Sequence, residues 1–229
     1  MKSYTYLLIN LLCFSIPFIA SFYPKHAFYK TWKPFFKANL IIALLFIIWD
    51  YFFTKIGVWG FNPDYLTSIY IANLPIEEIL FFTAIPYACV FSYFAFQYLI
   101  KNNPLQNIQT QITYALIAIL LIVAFLNFNK LYTSITFFST SIFLIILKLK
   151  KTNLSYHYLS YLFILPFFFI SNGILTGSFF VDPIVWYNDV ENLGIRITNI
   201  PVEDIIYGML LIFSNIELYK YFKNADKKY

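Results

Sequence analysis

Two short stretches carry most of the chain's candidate chemistry. Asn73-Leu74-Pro75-Ile76-Glu77-Glu78 and Asn199-Ile200-Pro201-Val202-Glu203-Asp204 share the pattern Asn-x-Pro-x-Glu-acid, and each runs into an apolar segment. Their registers match at a separation of 126 residues (199 minus 73). Four of the chain's 11 acidic residues, Glu77, Glu78, Glu203 and Asp204, lie here. Ionisable groups at membrane depth are costly, and they mark function by default. Clustered carboxyl groups in apolar surroundings suit general acid–base work on a hydrophobic substrate. Within such a cluster protons are shared, so titration belongs to the group. A plainer reading exists for one copy alone: proline and first-turn acids suit a helix N-terminus. The matched pair inside an apolar protein points instead to catalysis or binding. Adjacent helical residues point about 100° apart. One acid of each pair can therefore face a shared interface while the other orients it or contacts a loop; the sequence leaves open which.

Composition removes several other chemistries. The 229 residues are 60% hydrophobic and 12% charged, with a mean hydropathy of +0.68; a soluble domain carries about 25% charge. The chain reads as an integral membrane protein. Its net charge of +5 reads as membrane topology and not as nucleic-acid binding. The six glycines form no dinucleotide or nucleotide loop. His26 and His157 both neighbour lysines and are expected at the surface, so a His or Cys metal site is not expected. No Asp-x-x-x-Asp pair signals diphosphate chemistry. Cys13 and Cys89 lie in apolar segments and read as packing residues. No cofactor is expected.

The elements that must position the acids follow from apolar runs of about 20 residues. The reading is an all-α membrane protein with seven transmembrane helices, near 4–22, 38–54, 75–99, 112–127, 131–147, 155–176 and 201–222. Each acidic motif opens a span. Lys25, Lys30, Lys33, Lys37, Lys101, Lys148, Lys150, Lys151, Lys220, Lys223, Lys227 and Lys228 fall on one side, against Lys2, Lys55, Lys130 and Arg196 on the other. The positive-inside rule then puts the N-terminus outside, the C-terminus in the cytoplasm and both motifs at outer helix ends of a cell-membrane, multi-pass protein. The same bias makes the first span a retained helix, not a cleaved signal. The two longest connections, about 55–74 and 177–200, are rich in aromatics. They are expected to cap the site at the bilayer interface.

The 126-residue offset pairs the first helix with the fifth, the second with the sixth and the third with the seventh. The fourth span makes the two copies parallel. The expected organisation is a first repeat over 1–110, a linking helix over 111–130 and a second repeat over 131–229. A pseudo-twofold axis along the membrane normal would gather the four acids.

These features together carry a resemblance. The paired motifs, the Trp49-Asp50 helix end, Gly57-Val58-Trp59-Gly60-Phe61-Asn62-Pro63 and Leu193-Gly194-Ile195-Arg196 resemble the integral-membrane lycopene cyclases in their fused, single-chain form. The resemblance implies a redox-neutral ring closure at the ends of linear lycopene, giving β-carotene. It implies acid and base roles for Glu77, Glu78, Glu203 and Asp204. It implies cation–π help from aromatics such as Phe81, Phe82, Tyr207 and Trp59, although ordinary packing is the plainer role for any one of them. Lycopene, membrane lipid and other enzymes of the carotenoid pathway are the implied partners, with no nucleic acid.

Several positions break the symmetry. Asp204 stands where the first copy has Glu78, and Tyr207-Gly208 where it has Phe81-Phe82. Asp50 corresponds to Thr176 and reads either as a proton relay or as a residue at the polar interface. Arg196 reads either as a partner of a motif acid or as a side chain reaching lipid phosphate. Asn73 and Asn199 are expected to organise the turns before their helices. The rival reading is a transporter or proton-translocating protein using the same acids. It needs a polar path to the other membrane face, where Glu217 is the sole acidic candidate. A retinal-binding protein is opposed by a seventh span with no lysine before Lys220.

Overall fold

The computed structural model describes residues 2–25, 27–179 and 182–226; His26, Lys227 and Lys228 lie outside the described residues. Seven long helices are present among the described residues: α1 Thr5–Ala20, α2 Trp32–Ile56, α3 Ile76–Leu99, α4 Gln109–Leu126, α5 Leu131–Leu149, α6 Ser155–Leu175 and α7 Val202–Ala225. Six of them, α1 to α6, are long and apolar enough to cross a membrane when α1 is taken with the preceding turn from Lys2 and α2 with that from Phe28, which makes this a multi-pass membrane protein. The seventh expected span, α7, is 24 residues long but carries Glu203, Asp204, Glu217, Lys220 and Lys223, more charge than such a segment normally holds.

Packing explains how α7 tolerates that charge. It lies against α2, α3, α5 and α6. Met209 to Phe213 are all buried, as are Asn215, Ile216 and Tyr219. A helix buried on every side is central, and its polar groups meet protein instead of lipid. The same core holds an unusual polar join. Pro86 lacks an N–H, so the helix cannot satisfy the Phe82 carbonyl four residues earlier. Asn39 of α2 donates to that carbonyl at 2.9 Å and to Asn215 Oδ1 of α7 at 3.2 Å. Those two bonds tie α2, α3 and α7 together.

The connections hold more structure than a purely helical reading allows. Among the described residues six strands form three two-stranded antiparallel ribbons. β2 (Tyr70–Ile71) pairs with β3 (Leu74–Pro75), and β5 (Arg196–Ile197) with β6 (Ile200–Pro201). Each is a hairpin turning through a residue of positive φ, Ala72 at 56° and Thr198 at 55°. Asn73 donates to the Tyr51 carbonyl at 3.0 Å and Asn199 to the Thr176 carbonyl at 3.5 Å. Both bonds tie the turn to the end of a preceding helix.

The third ribbon joins the two long connections to each other. α2 ends at Gly57, whose φ of 78° suits glycine, and its N–H bonds back to the last-turn carbonyls. The chain then enters β1 (Trp59–Phe61), which pairs with β4 (Val185–Tyr187). The register is Trp59 to Tyr187, Gly60 to Trp186 and Phe61 to Val185. This ribbon sits at the same end of the bundle as the starts of α3 and α7, over the acidic motifs.

Two further expectations need correction. α2 begins at Trp32, six residues earlier than the apolar run suggests (38 minus 32); Pro34 fits its first turn because N–H groups there need no helical acceptor. His157 is fully buried, not at the surface. Its Nε2 lies 2.8 Å from Glu217 Oε1, which also accepts from Lys220 at 2.5 Å.

Candidate functional site

The hairpins deliver the acids to the first turns of α3 and α7, and the two members of each pair diverge. Glu77 and Glu203 are completely buried. Glu77 Oε1 accepts from the Thr67 backbone N–H at 2.7 Å. Glu203 Oε1 accepts from the Leu193 backbone N–H at 2.8 Å and from the Thr133 hydroxyl at 2.6 Å. Neither acid caps its own helix; each ties down the connection that precedes it. Thr67 and Leu193 are 126 residues apart, like Glu77 and Glu203.

The second acid of each pair faces inward. Glu78 and Asp204 both line a cavity of about 520 Å³ bounded by α1, α3, α6, α7 and the β1–β4 ribbon. Its walls are mostly aliphatic and aromatic, with Trp59, Phe61, Phe81, Tyr187 and Tyr207 near the acids. Such a space suits an apolar ligand held by a few placed polar groups.

Their surroundings differ in a way that separates their chemistry. Asp204 accepts three hydrogen bonds, from Tyr132 at 2.5 Å, Asn172 at 2.6 Å and Tyr187 at 2.9 Å. Donors converging on a carboxylate stabilise the anion. Glu78 accepts one, from Tyr6; its other oxygen has no protein partner among the described residues. Tyr6 and Tyr132 are again 126 residues apart. Tyr207 sits between the two sides, with ring contacts to Trp49, Trp59 and Tyr132 at 5.3, 6.0 and 6.2 Å between centroids.

The supporting residues fall in two groups. Trp59 donates from Nε1 to Asp50 Oδ1 at 2.5 Å, and the Thr54 hydroxyl donates to the same oxygen at 3.3 Å. Asp50 is buried, so it is not at an aqueous interface; it pins β1 to α2 behind the cavity wall. Arg196 pairs with neither a motif acid nor, through its main contact, the exterior. It bonds Asp189 Oδ1 at 2.5 Å and the Asn199 carbonyl at 2.8 Å, with its guanidinium over the Tyr187 ring. Burial opposes ionisation of Asp189, but the bonds from Arg196 and Asn192 prevail and hold its carboxyl below its ordinary range. Phe82 is buried in the core beside Phe46 and is not a cavity residue.

Tyr6, Tyr132, Tyr187 and Asn172 complete the site without having been singled out in the sequence. Tyr6 and Tyr132 carried a usable signal, because they share the motif spacing.

A many-helix membrane protein holding two inward carboxylates in an aromatic-lined apolar cavity belongs to the class that acts on lipophilic molecules inside the bilayer. The chain belongs to the lycopene cyclase family, whose model matches it twice, over residues 3–96 and 129–222. The two matches are themselves offset by 126 residues, and α4 lies in the interval between them. No curated protein and no solved structure matches the chain. Membership assigns a role in carotenoid cyclisation with a lipophilic carotenoid substrate.

Proposed function

We propose that the chain is a lycopene β-cyclase working by acid–base catalysis without a redox cofactor. Glu78, with one hydrogen-bond partner, gives its proton to the terminal double bond of a carotenoid end group. The resulting tertiary cation is attacked by the next double bond; its π pair forms the carbon–carbon bond that closes the ring, and the positive charge passes to the other carbon of that double bond. Asp204, held as an anion by three donors, stabilises the cation and takes a proton from the carbon beside it. One proton enters and one leaves, with no net electron transfer. Taking the ring-junction proton gives the β ring. The faces of Trp59, Tyr187 and Tyr207 lend cation–π stabilisation. Glu77 and Glu203 act as positioning residues by fixing the connections over the site.

The reading includes seven spans with α7 as the protein-shielded one. It includes an outer N-terminus, a cytoplasmic C-terminus and two parallel repeats, over 1–110 and 131–229, joined by the helix within 111–130. The rival transport reading lacks a path. Between the acids and the Glu217–His157 pair, α7 presents buried Leu211, Ile212 and Phe213.

The observation that carries the proposal is the placement of Glu78 and Asp204 in one apolar cavity with one partner against three. The test is expression in a bacterium that accumulates lycopene, with chromatography of the pigments. Conversion to β-carotene is expected. Glu78→Gln and Asp204→Asn are expected to abolish it with the protein still in the membrane. Unchanged lycopene beside well-inserted wild-type protein would overturn the reading.

A further inference from the structure

The bonds from Tyr6 to Glu78 and from Tyr132 to Asp204 follow one offset, as do those from Thr67 to Glu77 and from Leu193 to Glu203, yet the space beside the two pairs of acids differs. The cavity reaches Glu78 and Asp204 from the side of α1 and α6, and neither α2 nor α4 contributes to it. Its outer wall is formed by Ile16 of α1 and Phe167 of α6, which are 77% and 73% exposed. Residues that line a cavity and are also widely exposed mark its mouth. This mouth opens sideways, on a face that is apolar and meets lipid.

A shift of 126 residues generates the twin of this cleft, between α2 and α5. There the space is filled. Asn172 lines the open cavity, and Phe46 stands at its twin position; Leu175 is matched by Trp49, and Gly208 by Phe82. Phe46, buried, packs against Trp49, Phe82 and Tyr207 at 5.7, 6.1 and 5.1 Å between ring centroids. Three aromatic side chains therefore occupy the ground that a small, an aliphatic and a polar residue leave open on the other side. Small-to-large differences of this kind close a cavity, because protein interiors are close-packed.

We infer that the α1–α6 cleft is the single lateral doorway through which a carotenoid end group enters from the bilayer, one end at a time. The inference rests on the cyclase reading for its ligand. A cavity of about 520 Å³ is in the range that encloses a drug-sized molecule. It holds an end group and the adjoining polyene, and the remaining rod must project through the mouth into lipid. Both acids serve that one chamber, and the twin cleft is plugged, so the two ends cannot be cyclised together. The one-ringed carotenoid must leave, reverse and re-enter. Asn172 and Gly208 are the residues that keep the chamber open.

The test uses purified protein in liposomes containing excess lycopene. Ile16→Trp, which narrows the mouth, is expected to lose turnover. Ile142→Trp, the twin position on α5 and 55% exposed, is expected to keep it. Cys13 of α1 faces Ser171 of α6 across the cleft. A Ser171→Cys protein is expected to stop on oxidation and to resume on reduction, while the wild type ignores both treatments. Early in the wild-type time course the lipid should contain the one-ringed carotenoid before the two-ringed one. Equal effects of the two tryptophan variants, an oxidised Ser171→Cys protein that keeps turning over, or two-ringed product with no free one-ringed species would each overturn the doorway. Lycopene retained by the purified protein, read by its visible absorption, gives a second readout in the same variants. Retention without ring formation would sink the cyclase reading and still test the doorway.

Discussion

Gly60 lies opposite Trp186 in the β1–β4 ribbon, and these two positions are separated by the same 126 residues as the acidic motifs. The register consequently maps onto itself. Shifting the pair Trp59–Tyr187 by one repeat gives Val185–Phe61, which is the other end of the same ribbon. An antiparallel pair has its own local twofold axis, and here that axis relates equivalent positions of the two halves. The bonds from Tyr6 to Glu78 and from Tyr132 to Asp204 obey the same offset, as do those from Thr67 to Glu77 and from Leu193 to Glu203. All of this supports the proposed parallel repeat, with the ribbon as the strap across its axis.

At the centre of that strap Gly60 lies directly against the Trp186 indole. A Cβ on Gly60 would lie 2.4 Å from the Trp186 ring, so Gly60→Ala must displace the indole. Overpacking of this kind costs about 1–3 kcal/mol. The expected result is a lower thermal midpoint in detergent, followed by tryptophan fluorescence. Adding Trp186→Ala should recover part of the loss. A fully additive double variant would show that the two residues do not meet.

The three donors around Asp204 should act as a unit. A hydrogen bond to a charged group contributes about 1.5–3 kcal/mol, so Tyr132→Phe should slow turnover by roughly tenfold or more. Tyr187→Phe should do likewise. The double variant should fall short of the product of the single losses, since neighbouring members of one network couple. Rates come from the initial appearance of cyclic carotenoid at saturating lycopene. Unchanged rates in both single variants would remove Asp204 as the stabilised anion.

Much of this site was legible from the repeated motif, and what was hidden was hidden for physical reasons. Spacing alone brought out Glu77, Glu78, Glu203 and Asp204. It could not say which acid faces the cavity, because loop residues 67 and 193 decide that through backbone N–H groups, which carry no side-chain signature. Tyr6 and Tyr132 share the motif spacing, but they stand among 20 tyrosines. The lysines near His157 suggested a surface. Its burial depends on Glu217, 60 residues later (217 minus 157), and no local pattern announces that pairing. Arg196 found Asp189 within its own connection, so a local partner won over the motif acids. Helix positions were well specified by apolar runs, except at the start of α2 and in the charge of α7, where neighbouring helices replace lipid.

Outside the bundle, the Asp189–Arg196 pair should confer a small, acid-sensitive stability. The Asp189 carboxyl is held below its ordinary range in the folded protein. Its contribution is therefore full above the unfolded carboxylate range and is lost as pH falls through the folded value. Both side chains are partly exposed, which limits the pair to roughly 0.2–1 kcal/mol. Asp189→Asn should lower the thermal midpoint slightly at neutral pH, and the gap to the wild type should close under acid. A gap that persists at low pH would mean that Asn192 or backbone contacts carry the effect.

Asp50 allows its two remaining roles, anchor and proton relay, to be separated. Trp59 Nε1 is its close donor, and Asp50 Oδ2 has no protein partner among the described residues. Trp59→Phe keeps an aromatic ring near Tyr132 and Tyr207 but leaves the buried carboxyl with only the Thr54 hydroxyl at 3.3 Å. An unsatisfied buried polar group costs about 1–3 kcal/mol, and more if charged. The expected result is a clear loss of thermal stability. Removing both partners, as Trp59→Phe with Asp50→Leu, should restore part of it, because an apolar pair leaves nothing unpaired. Asp50→Asn alone then decides the role. An anchor needs only an acceptor for the indole N–H, so the amide should support normal turnover and an unchanged pH–rate profile. A relay must gain and lose a proton, so the amide would cut turnover in a fully folded protein and alter that profile. The geometry favours the anchor: Asp50 is spent on Trp59 and Thr54 and lies outside the lining of the cavity.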